Sequence, residues 1–279
     1  MATLFNREIK ITIEDRQFKD LRVVFNIERT NASTLNNGDI KIYNLNSSSR
    51  GSIKKATILG SKTAGSRVVL EAGYIGNTEV LCTGEVVKFD HSKSGPDIIT
   101  SLQISDGYSN LAFSNIEKSY SDGTRLRSVL NDVADAMGVT GTNSLTVTPE
   151  LILTKFENGY VATGNPRETL EVICKTIGAT WSIQDGQLVI SKNGRPTELA
   201  AVLVSKETGL IETPRITNEG ANFKSLLNPK IKPGVLVNLT SKLFPLKILI
   251  IRKCTYTGDN YSSNFFVEAE GTNFGGFGL

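Results

Sequence analysis

The chain has 279 residues, with 31 Lys and Arg against 28 Asp and Glu and one His, so its formal net charge is +3. A hydrophobic fraction of 39% and a charged fraction of 21% exclude the composition of a disordered chain and favour two or three globular domains. No apolar run approaches the roughly 20 residues that a membrane helix needs, and the first residues, MATLFNRE, lack the pattern of a secretory signal. We therefore expect synthesis in the cytoplasm and no membrane insertion.

Cysteine and histidine, the residues that most often hold metals, are few and scattered. Cys82, Cys174 and Cys254 show no CxxC or Cys/His spacing, which favours reduced structural thiols over a zinc site or a disulfide framework. The single histidine, His91, lies in the polar stretch HSKSGPD, which predicts an exposed turn between strands. We predict no metal site and no cofactor site.

Catalytic motifs are also missing from the sequence. Neither GxSxG nor HExxH occurs, and the glycine-rich segments lack the spacing of a phosphate-binding loop. The most enzyme-like carboxylates are Asp90, Asp97 and Asp106, and Asp132 and Asp135 lie three residues apart on a predicted helix. Because solvated surface positions explain these residues with fewer assumptions, we predict no catalytic residue.

Alternating apolar and polar residues dominate the first part of the chain. Ile9, Ile11 and Ile13 alternate with polar residues, as expected of a half-buried strand. Further strands are predicted at residues 21–28, 39–43, 67–74, 79–89 and 97–105, with a short helix at 48–56. Turn residues such as Asn37-Gly38 separate them. Residues 1–106 are therefore predicted to form a first β-barrel domain.

The pattern changes after residue 106. A helix is predicted at 124–137, preceded by Asp122, and a second at 166–177, with Asn165 as its N-cap and Gly178 as its stop. Residues 181–190 predict a hairpin with a type I′ turn at Asp185-Gly186. We interpret residues 107–197 as a small α+β insertion, whose predicted core is Leu170, Ile173, Ile177, Trp181, Ile183, Leu188 and Ile190.

Strand patterns return in the last part of the chain. Candidate strands are 201–204, 224–227, 235–240, 246–256 and 265–270, so residues 198–279 are predicted to form a second β-barrel domain. The last nine residues, GTNFGGFGL, are too glycine-rich for a regular element and predict a flexible tail. The fold class is therefore mainly β with a small α+β insertion.

The longest apolar strands of the two predicted barrels, 21–28 and 246–256, are candidates for contacts between barrels. The interface residues chosen on this basis, together with the aromatic residues of the tail, are Leu21, Val23, Phe25, Ile248, Ile250, Phe274 and Phe277. The alternative for the strand residues is that they belong to the core. Lys54-Lys55 and Arg252-Lys253 are the largest basic runs, so we expect no specific binding of nucleic acid.

The order of several short motifs resembles the baseplate hub proteins of tailed bacteriophages, a tail-tube-like family that includes the hub of Mu-like phages. These motifs are KIYNLN (41–46), AGY (72–74), GEVV (84–87), Asp106-Gly107, GTRL (123–126), NPRETL (165–170) before Trp181 and Asp185-Gly186, and SLLNPKIKPG (225–234). Each string is weak by itself, but their shared order extends over nearly the whole chain.

The resemblance implies a structural role. In that family the two barrels are similar to the tail-tube fold, and three subunits form a pseudo-sixfold ring that joins the hexameric tube to the trimeric central spike. The implied partners are two further copies of the chain, the tail tube or its initiator, the spike and other baseplate proteins, in the virion tail. DNA would pass through the lumen without specific binding.

Two other functions stay open on sequence alone. Some hub relatives carry a lytic domain, which makes a tail-associated cell-wall-degrading enzyme the alternative. A module that binds the host surface is hinted at only by Phe265-Phe266, Phe274 and Phe277.

Overall fold

In the computed structural model of the protein, residues 6–57, 63–109, 114–139, 145–242 and 244–275 are described. The first part of the chain contains one short helix and seven strands. Helix α1 covers Ser47–Gly51, and the strands are β1 (Arg7–Ile13), β2 (Arg16–Phe18), β3 (Val23–Thr30), β4 (Asn37–Tyr43), β5 (Arg67–Tyr74), β6 (Asn77–Ser94) and β7 (Asp97–Ser105).

The middle part mixes helices with short strands. Its elements are β8 (Ile116–Tyr120), β9 (Thr124–Arg125), α2 (Leu126–Ala136), β10 (Leu145–Val147), a 3-10 turn (Pro149–Leu151), β11 (Lys155–Phe156), β12 (Tyr160–Gly164), α3 (Pro166–Ile177), β13 (Ala179–Gln184) and β14 (Gln187–Lys192). The last part contains β15 (Glu198–Val204), β16 (Arg215–Ile216), β17 (Gly220–Leu226), β18 (Val235–Ser241), β19 (Phe244–Asp259) and β20 (Phe265–Asn273).

The strand order of the first part repeats in the last part. The neighbours run β1-β5-β6-β7-β4-β3 in the first part and β15-β18-β19-β20-β17-β16 in the last. Apart from β2, the strands also follow one another along the chain in the same succession, so each strand has a counterpart. The pairing directions agree, except that β1 and β5 are antiparallel whereas β15 and β18 are parallel. We call β1–β7 the first β unit and β15–β20 the second.

The two longest strands, β6 and β19, are counterparts in detail as well. The ladder of β6 with β7 is interrupted by a bulge between Val86 and Lys88, and the ladder of β19 with β20 by a bulge between Ile251 and Lys253. A bulge bends a strand and increases its twist. Before its bulge, β6 pairs with β5 and β19 pairs with β18, and beyond the bulge neither of these pairings continues.

An antiparallel ladder between β3 and β19 joins the two β units into one sheet of 13 strands. Its register runs from Val24 opposite Asp259 to Thr30 opposite Lys253. We call this ladder the joint. Below it, Phe265 packs edge to face with Phe25 and with Tyr74, at centroid distances of 6.4 and 5.5 Å. One continuous apolar core consequently spans both β units.

Polar contacts at one end of the joint fix the loop that follows β19. Arg22 donates two hydrogen bonds to the carboxylate of Asp259, at 3.4 and 2.9 Å. Asn260 accepts from the backbone N–H of Val23 and donates to the carbonyl of Leu21, both at 2.9 Å. These contacts hold the second β unit in a fixed relation to the first.

The insertion has its own apolar core, and two local predictions for it are confirmed. Helix α3 covers the predicted residues 166–177, with the Asn165 side chain accepting from the backbone of Arg167 and Gly178 in the left-handed region. Positive φ angles at Asp185 and Gly186 match the predicted type I′ turn. Of the predicted core, Ile177 is only partly buried and the other six residues are buried, around the apolar face of α2.

The prediction of a mainly β fold is confirmed, but the described residues form an open sheet shared by both β units, with no closed barrel. The boundaries at 106 and 197 stay predictions. The helix predicted at 48–56 covers only Ser47–Gly51, and the helix predicted at 124–137 begins two residues later, at Leu126, with Arg125 as its N-cap.

Two further sequence predictions are wrong. His91 is exposed but lies in strand β6, because pairing with β7 continues to Ser94 and the turn falls at Gly95-Pro96. The tail is not irregular from Gly271, since β20 continues to Asn273. A Cβ at Gly271 would lie 2.8 Å from Leu249 Cβ, so glycine permits this close pairing with β19. Residues 276–279, including Phe277, lie outside the described residues.

Close packing across the joint leaves room only for glycine at position 258. A Cβ at Gly258 would overlap the ring of Phe25 across the ladder. We expect Gly258→Ala to lower the free energy of unfolding by about 1–3 kcal/mol, as overpacking does in other cores. Denaturant unfolding measures this. The control is Gly51→Ala, where a Cβ would meet nothing within 4 Å; equal stabilities of the two variants would contradict the assigned role of Gly258.

Candidate functional site: the polar face of the shared sheet

One face of the shared sheet covers the apolar core, and the opposite face carries polar side chains that are exposed or half-buried. Strand register places these side chains in rows that cross both β units; one row contains Lys88, Gln103, Asp39, Asn26 and Thr257. We call this surface the polar face. Its members are Asn26, Glu28, Asp39, Lys41, Lys88, Asp90, Ser101, Gln103, Arg215, Asn222, Lys224, Lys253, Thr255, Thr257, Glu268 and Glu270.

Charges on the polar face nearly cancel. It carries five carboxylates, four ammonium groups and the guanidinium of Arg215. Lys253 pairs with Glu28 across the joint at 2.9 Å, and Lys224 pairs with Glu268 at 3.4 Å. The hydrogen bond with Glu28 raises the pKa of Lys253. Such exposed pairs stabilise the fold by less than about 1 kcal/mol each, so their main effect is to leave a surface without a strong field of either sign.

The polar face is concave where β3, β4, β6 and β7 cross it. A groove of about 550 Å³ lies there. Charged residues at its walls include Asp39, Lys41, Lys88 and Asp90, and the core residues Phe25, Ile40 and Leu102 contribute to its floor. An alternation of buried and exposed side chains in β3 and β4 produces this surface.

The predicted interface residues occupy different environments. Val23, Phe25 and Ile250 are buried within the chain's own core or between its elements, Leu21 and Phe274 are half-buried, and Ile248 is 38% exposed. The two strands from which most of them were chosen, β3 and β19, pair with each other inside the chain. Contacts of these residues with a second copy stay a prediction.

The enzyme-like carboxylates lie in different surroundings. Asp90 lies on the polar face, and Asp97 accepts a hydrogen bond from Asn44 Nδ2 at 2.8 Å. Asp106 is buried and bonds to the hairpin of the insertion, whereas Asp132 pairs with Lys118 at 2.7 Å and accepts from Tyr120. Each carboxylate thus has an environment of its own.

A buried polar network, which the sequence did not indicate, attaches the insertion to the first β unit. Arg29, 2% exposed, donates to Asp185 Oδ2 at 2.8 Å and to Gln184 Oε1 at 2.9 Å. Asn36 donates to Gln184 Oε1 at 3.0 Å. Asp106 accepts from the backbone N–H groups of Asp185 and Gly186 at 2.6 and 3.2 Å. We call Arg29, Asn36, Asp106, Gln184 and Asp185 the latch. In it, Arg29, Asn36 and Asp106 of the first part of the chain bind Gln184, Asp185 and Gly186 at the type I′ turn of the insertion.

Electrostatics of the latch depend on burial. Burial alone would lower the pKa of Arg29, but the attraction of Asp185, the hydrogen bond that Asp185 accepts and the smaller contributions of neighbouring groups together outweigh burial and raise that pKa, so the guanidinium stays charged. Burial raises the pKa of Asp106 to about 7, and repulsion from Asp185 acts in the same direction, against Arg29 and the two N–H donors. Asp106 therefore takes up a proton more readily in the folded chain than in the unfolded chain.

The described residues contain neither a metal-binding cluster nor a membrane-spanning helix. Among residues 6–57, 63–109, 114–139, 145–242 and 244–275, no group of three or more His, Cys, Asp and Glu side chains could hold a metal ion. Over the same part of the chain, no helix is long and apolar enough to span a membrane.

The pKa of Asp106 predicts a pH dependence of stability. Its ordinary value is 3.8 and its folded value about 7, so the folded state binds the proton more tightly. We expect the free energy of unfolding to fall as pH rises from about 4 to about 7, at most by about 1.4 kcal/mol per unit of pKa shift. Asp106→Asn should flatten this pH profile, measured by thermal or urea unfolding. The exposed control Asp122→Asn should keep the wild-type profile, and identical profiles for all three chains would refute the role of Asp106.

Comparisons with solved structures find the same fold in tail proteins. The 43 kDa tail protein of prophage MuSo2 from Shewanella oneidensis shares 11% identity at a TM-score of 0.64, covering 96% of this chain and 98% of that one. The tail protein from Neisseria meningitidis MC58 shares 10% identity at a TM-score of 0.66, over 97% of this chain and 98% of that one. A third match is the E. coli c3393 protein, a component of the type VI secretion system with structural similarity to the T4 tail proteins gp27 and gp5. It shares 12% identity at a TM-score of 0.59, over 95% of this chain and 76% of that one.

Sequence comparison gives the family. No curated protein sequence matches the chain. A family model described as baseplate hub gp41 matches residues 8–271, nearly the whole chain. The resemblance seen in the order of the motifs is thereby confirmed. The chain belongs to the baseplate hub gp41 family.

Proposed function

We propose that this chain is a structural hub of a phage baseplate, a homotrimeric adaptor between the hexameric tail tube and the trimeric central spike, and that its polar face lines the passage for DNA. The observation that carries the proposal is the repeated strand order of the two β units. Three copies contain six such units, and a ring of six similar units matches a tube of sixfold symmetry while its lower side keeps threefold symmetry.

The joint supports this role because a ring needs a fixed spacing between units. The ladder of β3 with β19 and the contacts of Arg22 with Asp259 fix that spacing within each chain. Burial would raise the pKa of Asp259, but the hydrogen bonds from Arg22, Tyr261 N–H and Ser262 and the positive charge of Arg22 together outweigh burial and lower that pKa, so the ion pair persists near neutral pH. In the proposal each β unit acts as one tail-tube-like unit.

The character of the polar face supports its assignment to the lumen. The face crosses both β units without interruption and is concave at the groove. Its five carboxylates are balanced by four ammonium groups and the guanidinium of Arg215, so its charges nearly cancel. A strongly basic wall would bind phosphates and retain the genome, whereas a nearly neutral wall lets DNA pass.

The oligomeric state tests the adaptor role. We expect mass photometry of the chain, alone or bound to its spike protein, to give three copies, and electron microscopy of the complex to show a ring with six similar lobes. A chain that stays monomeric in both conditions would contradict the proposal. Release of muropeptides from purified cell walls would instead favour the lytic enzyme.

Added charge tests the DNA passage. The variant Asn26→Lys, Gln103→Lys and Thr257→Lys places three lysines per chain on the polar face. We expect virions carrying it to release DNA several-fold more slowly at physiological salt, because the lysines attract phosphates. Its matched control, Ser121→Lys, Ser128→Lys and Asn131→Lys, adds the same charge at exposed positions of the insertion. Equal release times for the two variants would exclude the polar face from the lumen.

A further inference from the structure

Two strand segments of the shared sheet pair on one side only among the described residues, although the corresponding segments of the other β unit pair on both sides. The second half of β19, residues 253–259, pairs with β20 on one side and with β3 on the other, forming the joint. Its counterpart in β6, residues 88–94, pairs with β7 on one side only, among the described residues. Within the same described part of the chain, strand β16, the counterpart of β3, pairs with β17 and with no other strand.

We propose that these two edges bind each other between copies of this chain, so that β16 of one copy adds to the second half of β6 in the next and repeats the joint. This inference rests on the trimer proposed above and names the strands that close its ring. The two edges lie at opposite ends of the row of strands β16-β17-β20-β19-β3-β4-β7-β6, so head-to-tail pairing continues the sheet from copy to copy.

The register of the joint fixes the register of the new ladder. Arg215 pairs with Asn222 and Asn222 with Glu270, as Asn26 pairs with Asp39 and Asp39 with Gln103. Arg215 therefore stands where Asn26 does. Because the two bulges coincide, Ser92 stands where Thr257 does, opposite Asn26 in the joint. The new ladder thus places Ser92 opposite Arg215, His91 opposite Ile216 and Asp90 opposite Thr217.

The exposure of Ile216 supports this pairing. Its counterpart Ile27 lies inside the joint and is 1% exposed, whereas Ile216 is 45% exposed at the open edge. An exposed apolar residue on an unpaired edge strand invites pairing with another chain. In the new ladder Ile216 lies opposite His91, whose ring packs against Phe89 at a centroid distance of 5.4 Å.

Charge on the two edges is complementary. Asp90 and Arg215 are both exposed in the single chain. In the inferred register they are diagonal neighbours on the same face of the sheet, within reach of a salt bridge. The occupant of each edge is therefore a second copy of this chain, since one copy supplies the acidic edge and the next supplies the basic one.

Disulfide trapping tests the register directly. Directly opposite residues of antiparallel strands have Cα atoms about 4.5–5.5 Å apart, within the range that a disulfide spans. We expect the double variant Ser92→Cys and Arg215→Cys to form covalent species up to the trimer, and no larger, on a non-reducing gel. The native cysteines Cys82, Cys174 and Cys254 are all buried and do not compete. Each single variant should give no such ladder of species.

The control pairs Ser92→Cys with Arg16→Cys, which lies on the open edge strand β2. A trimer that cross-links through position 16 and not through 215, or through neither, overturns this inference and leaves the proposed adaptor role in place. A chain that is monomeric alone and with its spike overturns both. Cross-linking of the Ser92→Cys, Arg215→Cys variant, with no cross-linking of the Ser92→Cys, Arg16→Cys control, establishes the ladder.

Charge reversal gives a second measurement that does not depend on oxidation. Asp90→Arg and Arg215→Asp should each weaken trimer formation by about tenfold, because each places like charges side by side. The double variant should restore assembly to near the wild-type level. Both residues are exposed, so circular dichroism should show an unchanged fold. Additive losses in the double variant would contradict the inferred neighbours.

Discussion

The ladder between β3 and β19 is the contact on which the rest of this molecule depends. It joins strands that are more than 200 residues apart in sequence, and it turns two small β units into one sheet with one core. Closing so long a loop costs entropy, which the buried packing of Phe25, Tyr256 and Phe265 under the ladder offsets. The spacing and the angle of the two units are consequences of this single ladder.

A surface shared by both units follows from the same contact. Alternation along each strand places apolar side chains in the core and polar ones on the opposite face, and the joint makes that face continuous. Mixed charges that pair with one another leave the face weakly charged. In the proposed hub, this weakly charged face is the part of each chain that faces the DNA.

The sequence was informative where structure is local. Asn165, Pro166 and Gly178 specify the ends of α3, because capping depends on a few adjacent residues. For the same reason Asp185-Gly186, with their positive φ angles, specify the turn between β13 and β14. Strands β5 and β7 have the predicted bounds for the same reason, since each carries a clear alternation between turn residues. The short strands β8 and β12 were missed, because they carry too few residues to show a period.

Long-range contacts were beyond sequence reasoning. Nothing local in residues 21–28 shows that their partner is β19, and the repeated strand order leaves no repeated motif to find. The latch illustrates the same limit: Arg29 and Asp185 are ordinary charged residues of a strand and a turn until folding buries them together. The polar face emerges only when the register of several strands is known.

The insertion enters the chain between the two units, yet none of its described strands belongs to the shared sheet. The covalent path from one unit to the other runs through it, while their geometry is set by the ladder. Evolution can therefore enlarge, shrink or replace this segment without altering the spacing of the two β units, provided that its hairpin still reaches Arg29 and Asp106. Variation among relatives should concentrate there, where a phage adapts its baseplate to new neighbours.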